Sequence, residues 1–364
     1  MKTNKYIISC GGTGGHIFPA ISIANKIKEK DPKSSILFVG SSSKMEMSKV
    51  PESGYKIIGL PIKGFNRSFP LKNIFLPFRI FYSLLKSLTV IFNFKPDVVI
   101  GTGGYASGPI VFISQILGYP TLIQEQNSYP GITNKILGKR AKTIAVAYPD
   151  MEKYFMKEKI VLTGNPVRTD IINSKITKLE SKLFFNLDPK KPTIGIIGGS
   201  LGALKINQII CNNISFLNKN GFQVIWQCGK LYYKSYKVYD CNNIKVVPFI
   251  SKMNYFYKAI DILISRSGAS TISEICLTGT PSILIPSPNV AANHQYFNAM
   301  ELYKKQLSEI IEEKDLERDF RKILKSFWLN NSLRNKIKID LKKLSKPNAT
   351  DKIVEHIKTY TIEK

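Results

Sequence analysis

The chain has 364 residues, of which 43% are hydrophobic, and it carries a formal net charge of +27. This length exceeds the size at which one hydrophobic core usually stops growing, so the sequence predicts two domains. Five scattered cysteines without a CxxC pair argue against disulfides and zinc, and the lack of any RNA-binding motif or arginine-rich arm argues against nucleic acid.

The first predicted element is a strand that leads into a glycine-rich turn and a helix. The apolar run Tyr6–Cys10 is too short for a signal peptide and continues directly into GGTGGH, Gly11 to His16. We expect Pro19 in the opening turn of the helix, where its missing N–H costs nothing. Backbone N–H groups at such a helix start attract anions, so the turn is a candidate phosphate site.

This turn also resembles a dinucleotide fingerprint, but the match is incomplete. GGTGGH is not a full GxGxxG, and the second strand, Ser35–Val39, is not followed by an acidic residue that could hold a ribose. The pattern therefore argues against a nicotinamide or flavin dehydrogenase.

His16 lies at the mouth of the turn. An imidazole can accept a proton from an attacking hydroxyl near neutral pH. It can equally orient the turn or donate to a phosphate, and the residue pattern leaves both roles open.

The most hydrophobic segment is Ile74–Phe94, in which Pro77, Arg79 and Lys86 argue against a membrane span. Large apolar side chains recur there at helical spacing: Phe75, Phe78, Phe81, Tyr82, Leu85 and Leu88. Residues 1–95 carry 15 basic and 4 acidic side chains. The segment is either an interfacial helix that binds anionic lipid or a buried helix of the first domain.

A further glycine-rich stretch, GTGGYASGP (Gly101 to Pro109), follows the apolar strand Val98–Ile100. Glycines at the carboxyl end of a strand let a ligand approach the backbone, so this stretch is a candidate binding loop around Tyr105. Strands are predicted next at Thr121–Gln124 and Thr143–Ala145.

The boundary between the two halves is predicted near Leu162–Arg168. Arg168 there either clamps a diphosphate through charge-assisted hydrogen bonds or pairs with a surface acid. A polar, lysine-rich stretch, Asn173–Lys191, is expected to connect the halves.

The second half repeats the strand–turn–helix pattern. Thr193–Ile197 runs into GGSLGA, Gly198 to Ala203, which is a second candidate phosphate site. Further strands are predicted at Val224–Gln227, Ile244–Val247, Ile260–Ser265 and Ser282–Ile285, and the last segment, Leu333–Lys364, is predicted to be helical.

Three polar residues in this half fit a ligand that carries hydroxyl groups. Glu274 falls in the first turns of a helix that follows SRSGAS, where it either complements the helix dipole or accepts the hydroxyls of a ribose. His294 and Gln295 open a helix after a proline-rich loop, where an amide suits sugar hydroxyls. No D-x-D pair follows a strand, so we expect a nucleotide diphosphate to be held by glycine amides, a helix start and Arg168, without a metal.

Continuous apolar strands that alternate with helices predict parallel sheets covered on both faces. The expected fold class is therefore α/β, with two doubly wound parallel-sheet domains in tandem.

Seven motifs in order, from near the first residue to about residue 300, resemble the MurG family of bacterial N-acetylglucosaminyltransferases: GGTGGH, GTGGYASGP, EQNSYPGITNK, TGNPVR, GGSLGA, RSGASTISE and NHQYFNA. The resemblance implies a GT-B fold of two Rossmann-like domains with an interdomain cleft. It implies an acceptor-binding and membrane-associating domain over 1–164, a UDP-GlcNAc domain over 165–343, and a C-terminal helix over 344–364 that packs back on the first domain.

The implied reaction is metal-independent, inverting transfer of N-acetylglucosamine, without a cofactor, from UDP-GlcNAc to the C4 hydroxyl of undecaprenyl-diphosphoryl-muramoyl-pentapeptide in peptidoglycan synthesis. The implied location is the cytoplasmic face of the membrane, as a peripheral protein. The partners are the two substrates and an anionic membrane surface contacted by Ile74–Phe94 and surrounding lysines and arginines, with no nucleic acid.

The resemblance also implies roles for individual residues. It implies contacts to the diphosphate by Ser200 and Arg168, to the uridine by Ile250 and to the ribose by Glu274. Gln295, Asn127 and the turn of Thr13, Gly14 and Gly15 would contact the sugar. The two glycine loops of the first half, with Gly103, Gly104 and Tyr105, would meet the lipid diphosphate, and His16 would be the general base.

The chain departs from the family at Gln124, where many relatives have histidine. An amide cannot serve as a base, so a scheme with two histidines is in doubt, and Glu125 is a weaker second candidate. Two alternative functions stay open: a UDP-N-acetylglucosamine 2-epimerase on the same fold, and a non-catalytic, lipid-bound nucleotide-sugar sensor.

Overall fold

The computed structural model describes residues 3–65, 73–199 and 201–362. Its contacts divide the chain into two compact units. The first comprises Met1–Val167 together with Lys346–Lys364, and the second comprises Arg168–Ser345.

Within the described part of the first unit, seven strands form one parallel sheet in the order β3-β2-β1-β4-β5-β6-β7. They are β1 (Lys5–Ser9), β2 (Ser35–Ser41), β3 (Lys56–Leu60), β4 (Val98–Gly101), β5 (Thr121–Glu125), β6 (Thr143–Val146) and β7 (Ile160–Leu162). The central strands are buried along almost their whole length, as a sheet covered on both faces requires.

Helices cover both faces of this sheet. They are α1 (Gly14–Lys30), α2 (Glu46–Glu52), α3 (Leu76–Phe94), α4 (Ser107–Ile116), α5 (Ile132–Gly138) and the C-terminal α15 (Ala349–Ile362). Side chains of α1, α2 and α15 join one core cluster with alternate residues of β1, and side chains of α3, α4 and α5 join the other cluster.

The C-terminal helix α15 belongs to the first unit because it packs against α1. Ile353, Val354 and Ile357 are fully buried in the shared core cluster. At the edge of the contact, Asp351 lies 3.5 Å from Lys26 and 3.1 Å from Lys30.

In the described part of the second unit, six strands form another parallel sheet in the order β10-β9-β8-β11-β12-β13. They are β8 (Thr193–Ile197), β9 (Gln223–Gln227), β10 (Ile244–Val247), β11 (Ile262–Ser265), β12 (Ser282–Leu284) and β13 (Glu309–Ile310). The helices are α6 (Thr169–Ile172), α7 (Lys178–Phe184), α8 (Leu204–Lys219), α9 (Tyr233–Tyr236), α10 (Met253–Ala259), α11 (Ala269–Thr278), α12 (His294–Tyr303), α13 (Leu316–Leu329) and α14 (Asn331–Leu344).

The predicted fold class is confirmed: the chain is α/β, with two doubly wound parallel-sheet units in tandem. Two local expectations were wrong. Pro19 is the sixth residue of α1, because the glycines at 14 and 15 already form the first turn. Ile260 precedes β11 as the residue that ends α10. The stretch Asn173–Lys191 contains α7, whose N-terminus is capped by Thr177 and Glu180.

Helix α3 presents its aromatic side outward. Phe78 is 72% exposed and Phe81 63% exposed, whereas the residues that α3 buries include Ser83 and Ser87. The alternative of a buried helix is therefore wrong for the aromatic side of α3, whereas Val90 and Ile91 on the other side are buried in the core. In the described ranges, no helix is both long and apolar enough to cross a membrane.

Candidate active site

Each sheet has a switch point, at which the strand order reverses. It lies between the strand that comes first in the sequence of that unit and the neighbour on the side where the order runs the other way. In the first unit these strands are β1 and β4, and in the second they are β8 and β11. Ligands of doubly wound sheets bind beyond the carboxyl ends of the strands at this point. The glycine-rich segments 11–15, 101–109 and 198–203 and the segment 265–268 lie at the carboxyl ends of these four strands, so each unit has one candidate site.

The two glycine loops of the first unit pack directly against each other. Gly104 has φ +79°, and a Cβ at this position would lie 2.3 Å from the carbonyl oxygen of Gly11. Gly103 has φ +93°, and a Cβ there would lie 2.9 Å from Cδ2 of His16. Only glycine permits this approach of the two loops.

The ring of His16 is oriented by the turn in which it lies. Its Nδ1 is 3.1 Å from the carbonyl oxygen of Gly11 and 3.1 Å from the hydroxyl of Thr13. A carbonyl oxygen only accepts, so Nδ1–H is the donor, and Nε2 carries the lone pair of the neutral ring. The hydroxyl of Thr102 holds the backbone of His16 in place, because it donates to the carbonyl of His16 over 2.9 Å.

Helix α1 begins at Gly14, with Thr13 as the N-cap residue, so the backbone N–H groups of Gly14 and Gly15 open the helix. Its first turn contains no acidic residue that would compete with a bound anion.

Glu46 stabilises the first glycine turn through hydrogen bonds to its backbone, a role that the sequence analysis missed. Its buried carboxylate accepts from the backbone N–H of Gly12, over 3.3 Å to Oε1 and 3.2 Å to Oε2, and from the N–H of Ser41 over 2.9 Å. No local motif marks this lone glutamate, which comes from the start of α2.

Tyr105 is half-buried, and its ring separates the loops around it. A Cβ at Gly64 would lie 2.9 Å from the ring carbon Cε1, and one at Gly12 would lie 3.5 Å from it. Burial raises the pKa of the phenol above its ordinary value. The side chain thus spaces the first glycine turn from the segment that follows β3.

Glu125 braces the loop that follows β5. Its carboxylate accepts from the N–H of Asn127 over 2.9 Å, from the Asn127 amide over 3.0 Å, from the N–H of Gly131 over 3.2 Å and from the amide of Asn134 over 2.8 Å. Burial is the main influence on its pKa, which is raised above the ordinary value. Four donors on one buried carboxylate favour a structural role over proton transfer.

Gln124 belongs to a buried amide network. Its side-chain NH₂ donates to Asn165 over 2.9 Å, and its carbonyl oxygen accepts from Gln126, which also donates to the carbonyl of Thr102. Asn165 returns a bond of 3.0 Å to the carbonyl of Gln126. Gln124, where the resemblance leads us to expect histidine, is thus fully engaged in structural hydrogen bonds.

In the second unit, the turn after β8 packs on the end of β9. A Cβ at Gly202 would lie 2.1 Å from the carbonyl oxygen of Cys228, and one at Gly229 would lie 2.3 Å from that of Leu201. The turn leads into α8, whose first turn contains no acidic residue. Ser200, predicted to contact a diphosphate, lies outside the described residues.

Gln227 links this turn to Ile250. Its side-chain NH₂ donates to the carbonyl of Gly199 over 2.9 Å, while its oxygen accepts from the N–H of Ile250 over 2.8 Å. The sequence analysis did not single out Gln227, although a buried polar side chain at the carboxyl end of a strand is a usable signal.

Glu274 and Arg168 are brought together. Oε1 of Glu274 lies 3.5 Å from Nε of Arg168, and Oε2 accepts from the hydroxyl of Tyr257 over 2.9 Å. Burial raises the pKa of Glu274, while Arg168 and Tyr257 act in the opposite direction. The sequence analysis missed Tyr257, which comes from α10.

Gln295 lies in the first turn of α12 and is fixed at both ends. Its side-chain oxygen accepts from the N–H of Ser287 over 2.9 Å, and its backbone carbonyl accepts from the hydroxyl of Ser267 over 2.8 Å. Just before it, Ala292 and Asn293 have φ of 52° and 51°, a strained pair that is typical of functional turns.

Among the residues that the structure describes, no three His, Cys, Asp or Glu side chains form a cluster that could hold a metal ion.

Two parallel-sheet units, each with a glycine-rich turn at its switch point, form the GT-B architecture. Residues 6–146 match the glycosyltransferase family 28 N-terminal domain, and residues 193–353 match the family's C-terminal domain. The chain belongs to glycosyltransferase family 28, and within it to the family of UDP-N-acetylglucosamine–N-acetylmuramyl-(pentapeptide) pyrophosphoryl-undecaprenol N-acetylglucosamine transferases. The predicted resemblance and enzyme class are confirmed.

The chain is similar to family members over nearly its whole length. It is 49% identical over 358 residues to the transferase of Flavobacterium psychrophilum, with 98% of each chain covered. It is 46% identical over 353 residues to that of Christiangramia forsetii, with 97% of this chain and 96% of the relative covered.

Solved structures agree. MurG of Acinetobacter baumannii matches with a TM-score of 0.77 and 25% identity over 98% of this chain and 100% of that chain. A UDP-N-acetylglucosamine 2-epimerase matches with a TM-score of 0.65 at 12% identity, over 100% of this chain and 98% of that chain. The latter shows the fold alone, so the fold does not distinguish transferases from epimerases, whereas the sequence relatives do.

Proposed function

We propose that this enzyme transfers N-acetylglucosamine from UDP-GlcNAc to the C4 hydroxyl of undecaprenyl-diphosphoryl-muramoyl-pentapeptide, a step of peptidoglycan synthesis. The reaction inverts the anomeric configuration and needs neither metal nor cofactor. The observation that carries the proposal is the 49% identity, over 98% of both chains, to a protein named for this transfer.

The second unit binds the donor in this proposal. Arg168 and the start of α8 hold the diphosphate, Ile250 contacts the uracil, and Glu274 accepts the ribose hydroxyls. Supporting observations are the buried carboxylate of Glu274 beside Arg168 and the Gln227 bridge between the turn after β8 and Ile250. Gln295 contacts the sugar, and Ser200 contacts the diphosphate.

The first unit binds the acceptor. Its two glycine loops, with Gly103, Gly104 and Tyr105, meet the lipid diphosphate near the start of α1. Thr13, Gly14, Gly15 and Asn127 lie against the transferred sugar. The support is the mutual packing of the two loops at the switch point of the sheet.

His16 is the general base. The acceptor oxygen attacks the anomeric carbon while Nε2 takes its proton, and the bond to UDP breaks with its electron pair on the diphosphate. Arg168 and the start of α8 stabilise the charge that develops there. The Nδ1 bond of His16 to Gly11, which leaves the lone pair on Nε2, supports this role.

The enzyme is a peripheral protein of the cytoplasmic face of the membrane, and α3 contacts anionic lipid. The support is the outward aromatic side of α3 in a half of the chain where basic residues outnumber acidic ones. Burying such an apolar side at the lipid interface removes it from water, and lysines and arginines add attraction to anionic headgroups.

The test is whether UDP release from UDP-GlcNAc depends on the acceptor. Purified enzyme is incubated with UDP-GlcNAc, with and without a short-chain prenyl-diphosphoryl-muramoyl-pentapeptide, and the products are separated by mass and chromatography. The proposal expects UDP and a disaccharide only when the acceptor is present. Formation of UDP-N-acetylmannosamine without acceptor would establish the epimerase, and binding without any turnover would establish the sensor.

A further inference from the structure

Tyr257 and Glu274 form a buried pair in the second unit. The hydroxyl of Tyr257 donates to Oε2 of Glu274 over 2.9 Å, and both residues are 5% exposed. Burial and the neighbouring carboxylate raise the pKa of the phenol well above its ordinary value, so the hydroxyl keeps its proton and acts as a donor.

The position of Tyr257 is rigid because α10 packs closely on the sheet. Its neighbour Phe256 lies over Gly195 of β8, where a Cβ would come within 2.6 Å of the ring carbon Cζ. Helix α10 also packs against α7 and α6. The hydroxyl of Tyr257 therefore has a fixed position, and its hydrogen bond fixes the orientation of the Glu274 carboxylate.

The pair leaves acceptor capacity on the carboxylate. Two carboxylate oxygens offer about four lone-pair sites. Tyr257 occupies one on Oε2, and Arg168 lies 3.5 Å from Oε1. Each oxygen therefore retains a lone pair that can accept a hydroxyl, which matches the two adjacent hydroxyls of a ribose.

We propose that Tyr257 is a positioning residue for the donor, which holds the carboxylate of Glu274 so that its two oxygens face the 2′ and 3′ hydroxyls of the nucleotide. This inference rests on the proposed function, in which Glu274 accepts the ribose hydroxyls. When Arg168 engages the diphosphate, Tyr257 remains as the donor that keeps the buried carboxylate oriented. Its loss therefore weakens recognition of the ribose without touching the reacting atoms.

The test compares UDP with 2′-deoxy-UDP, by calorimetric titration of the full chain, in the wild type and in Tyr257→Phe. In the wild type, loss of one hydroxyl bonded to a carboxylate is expected to weaken binding at least about tenfold. Tyr257→Phe should weaken UDP binding about tenfold and reduce the preference for UDP over 2′-deoxy-UDP to about threefold or less. The KM for UDP-GlcNAc should rise in parallel, while kcat stays within about threefold.

Two reference variants define the scale. Glu274→Gln should abolish most of the ribose preference, because an amide presents one acceptor oxygen instead of two. Tyr360→Phe is the matched control: Tyr360 is also buried, its hydroxyl pairs with Thr143, and it lies in α15 of the first unit. It should leave both nucleotide affinities unchanged.

The outcomes separate this inference from the proposed function. If the wild type prefers UDP and Tyr257→Phe keeps the full preference, the positioning role is overturned while the ribose role of Glu274 stands. If the wild type binds both nucleotides equally, the ribose role fails and the positioning role fails with it. A thermal midpoint of Tyr257→Phe close to that of Tyr360→Phe shows that a loss of preference does not come from unfolding.

Discussion

The backbone N–H of Gly12 donates to the buried carboxylate of Glu46, 3.2 Å from Oε2. This bond commits one N–H of the first glycine turn to the protein itself. That N–H is not available to an anion, so the start of α1 at Gly14 and Gly15 stays the predicted anion site of the turn. The hydrogen bond between Gly12 and Glu46 also connects the turn after β1 to α2, the helix that follows β2.

Glu46→Ala should destabilise the protein by about 2–4 kcal/mol, because it leaves the half-buried N–H of Gly12 and the buried N–H of Ser41 without their acceptor. Urea unfolding measures the free energy. The control is Glu52→Ala in the same helix, where an exposed carboxylate pairs with Lys49, and its cost should stay below about 0.5 kcal/mol. Equal costs for the two variants would contradict the role assigned to Glu46.

Gly104→Ala and Gly118→Ala form a matched pair, because both glycines have φ +79°. A Cβ at Gly104 would lie 2.3 Å from the carbonyl oxygen of Gly11, whereas a Cβ at Gly118 would meet nothing within 4 Å. Gly118→Ala should cost about 1 kcal/mol from backbone strain alone. Gly104→Ala should cost at least about 2 kcal/mol more and lower transfer at least tenfold, since the loops must separate.

The measurement is urea unfolding of both variants, with transfer rates taken at a temperature where both are folded. If the two alanine variants lose the same stability and the same activity, the close packing of the two glycine loops does not matter for the site.

Much of the fold could be predicted because the central strands are continuous apolar runs. The unpredicted strands β3, β7 and β13 all lie at sheet edges, where they are only partly buried. An edge strand needs no apolar side chain on every position, so its sequence resembles a loop. The predicted central strand Thr193–Ile197, in contrast, agrees with the structure residue by residue. The edge strand Ile244–Val247 also agrees, because buried apolar residues recur there at every second position.

For the candidate site, sequence could indicate the residues of glycine motifs but not their partners. Glu46, Gln227 and Tyr257 act through contacts made across 34, 23 and 17 residues of sequence. No local spacing reveals such pairs, because the sheet topology brings them together. Glu125 is a second example. Its position in the EQN motif made it a candidate base, but the four N–H donors that bind its carboxylate come together only in the folded loop.

The affinity for UDP-GlcNAc should depend on pH through Glu274. The pKa of its carboxyl is raised above the ordinary value, and burial is the largest cause. Arg168 and Tyr257 act in the opposite direction, and Asp170 adds a smaller rise. In the proposed function the ionised form of Glu274 accepts the ribose hydroxyls. The KM for UDP-GlcNAc should therefore rise as the pH falls through this raised pKa, at a higher pH than for an exposed glutamate.

Initial rates at several pH values measure this effect, with Glu274→Gln and Glu309→Gln for comparison. Burial also raises the pKa of Glu309, on the edge strand β13. The rise of KM at low pH, which we call the acid limb, should disappear in Glu274→Gln and persist in Glu309→Gln. Persistence of the limb in Glu274→Gln would assign it to another group.

Helix α3 should carry the affinity for membranes. Fully burying a phenylalanine is worth about 1.5–3 kcal/mol, so Phe78→Glu with Phe81→Glu should weaken binding to vesicles that contain phosphatidylglycerol at least about tenfold. Cosedimentation measures the binding. Leu329→Glu is the control, because Leu329 is 69% exposed but lies in α13 of the second unit. An equal loss in the control would mean that general charge, and not α3, governs binding.

His16→Ala should lower kcat about 10²- to 10⁴-fold, the usual contribution of a general base, with a smaller change in the KM for UDP-GlcNAc. His356→Ala, in α15, should change kcat less than about threefold. Rates under saturating donor and acceptor measure both variants. A His16→Ala enzyme with nearly full kcat would exclude His16 as the base and leave it the role of orienting the turn.

The most direct test of the account is the transfer of labelled N-acetylglucosamine from UDP-GlcNAc to a prenyl-diphosphoryl-muramoyl-pentapeptide in excess EDTA. The account predicts a β-linked disaccharide product, one UDP released for each sugar transferred, and a rate unchanged by the chelator. No disaccharide from a folded enzyme that binds UDP, or a product with the α configuration, would contradict it.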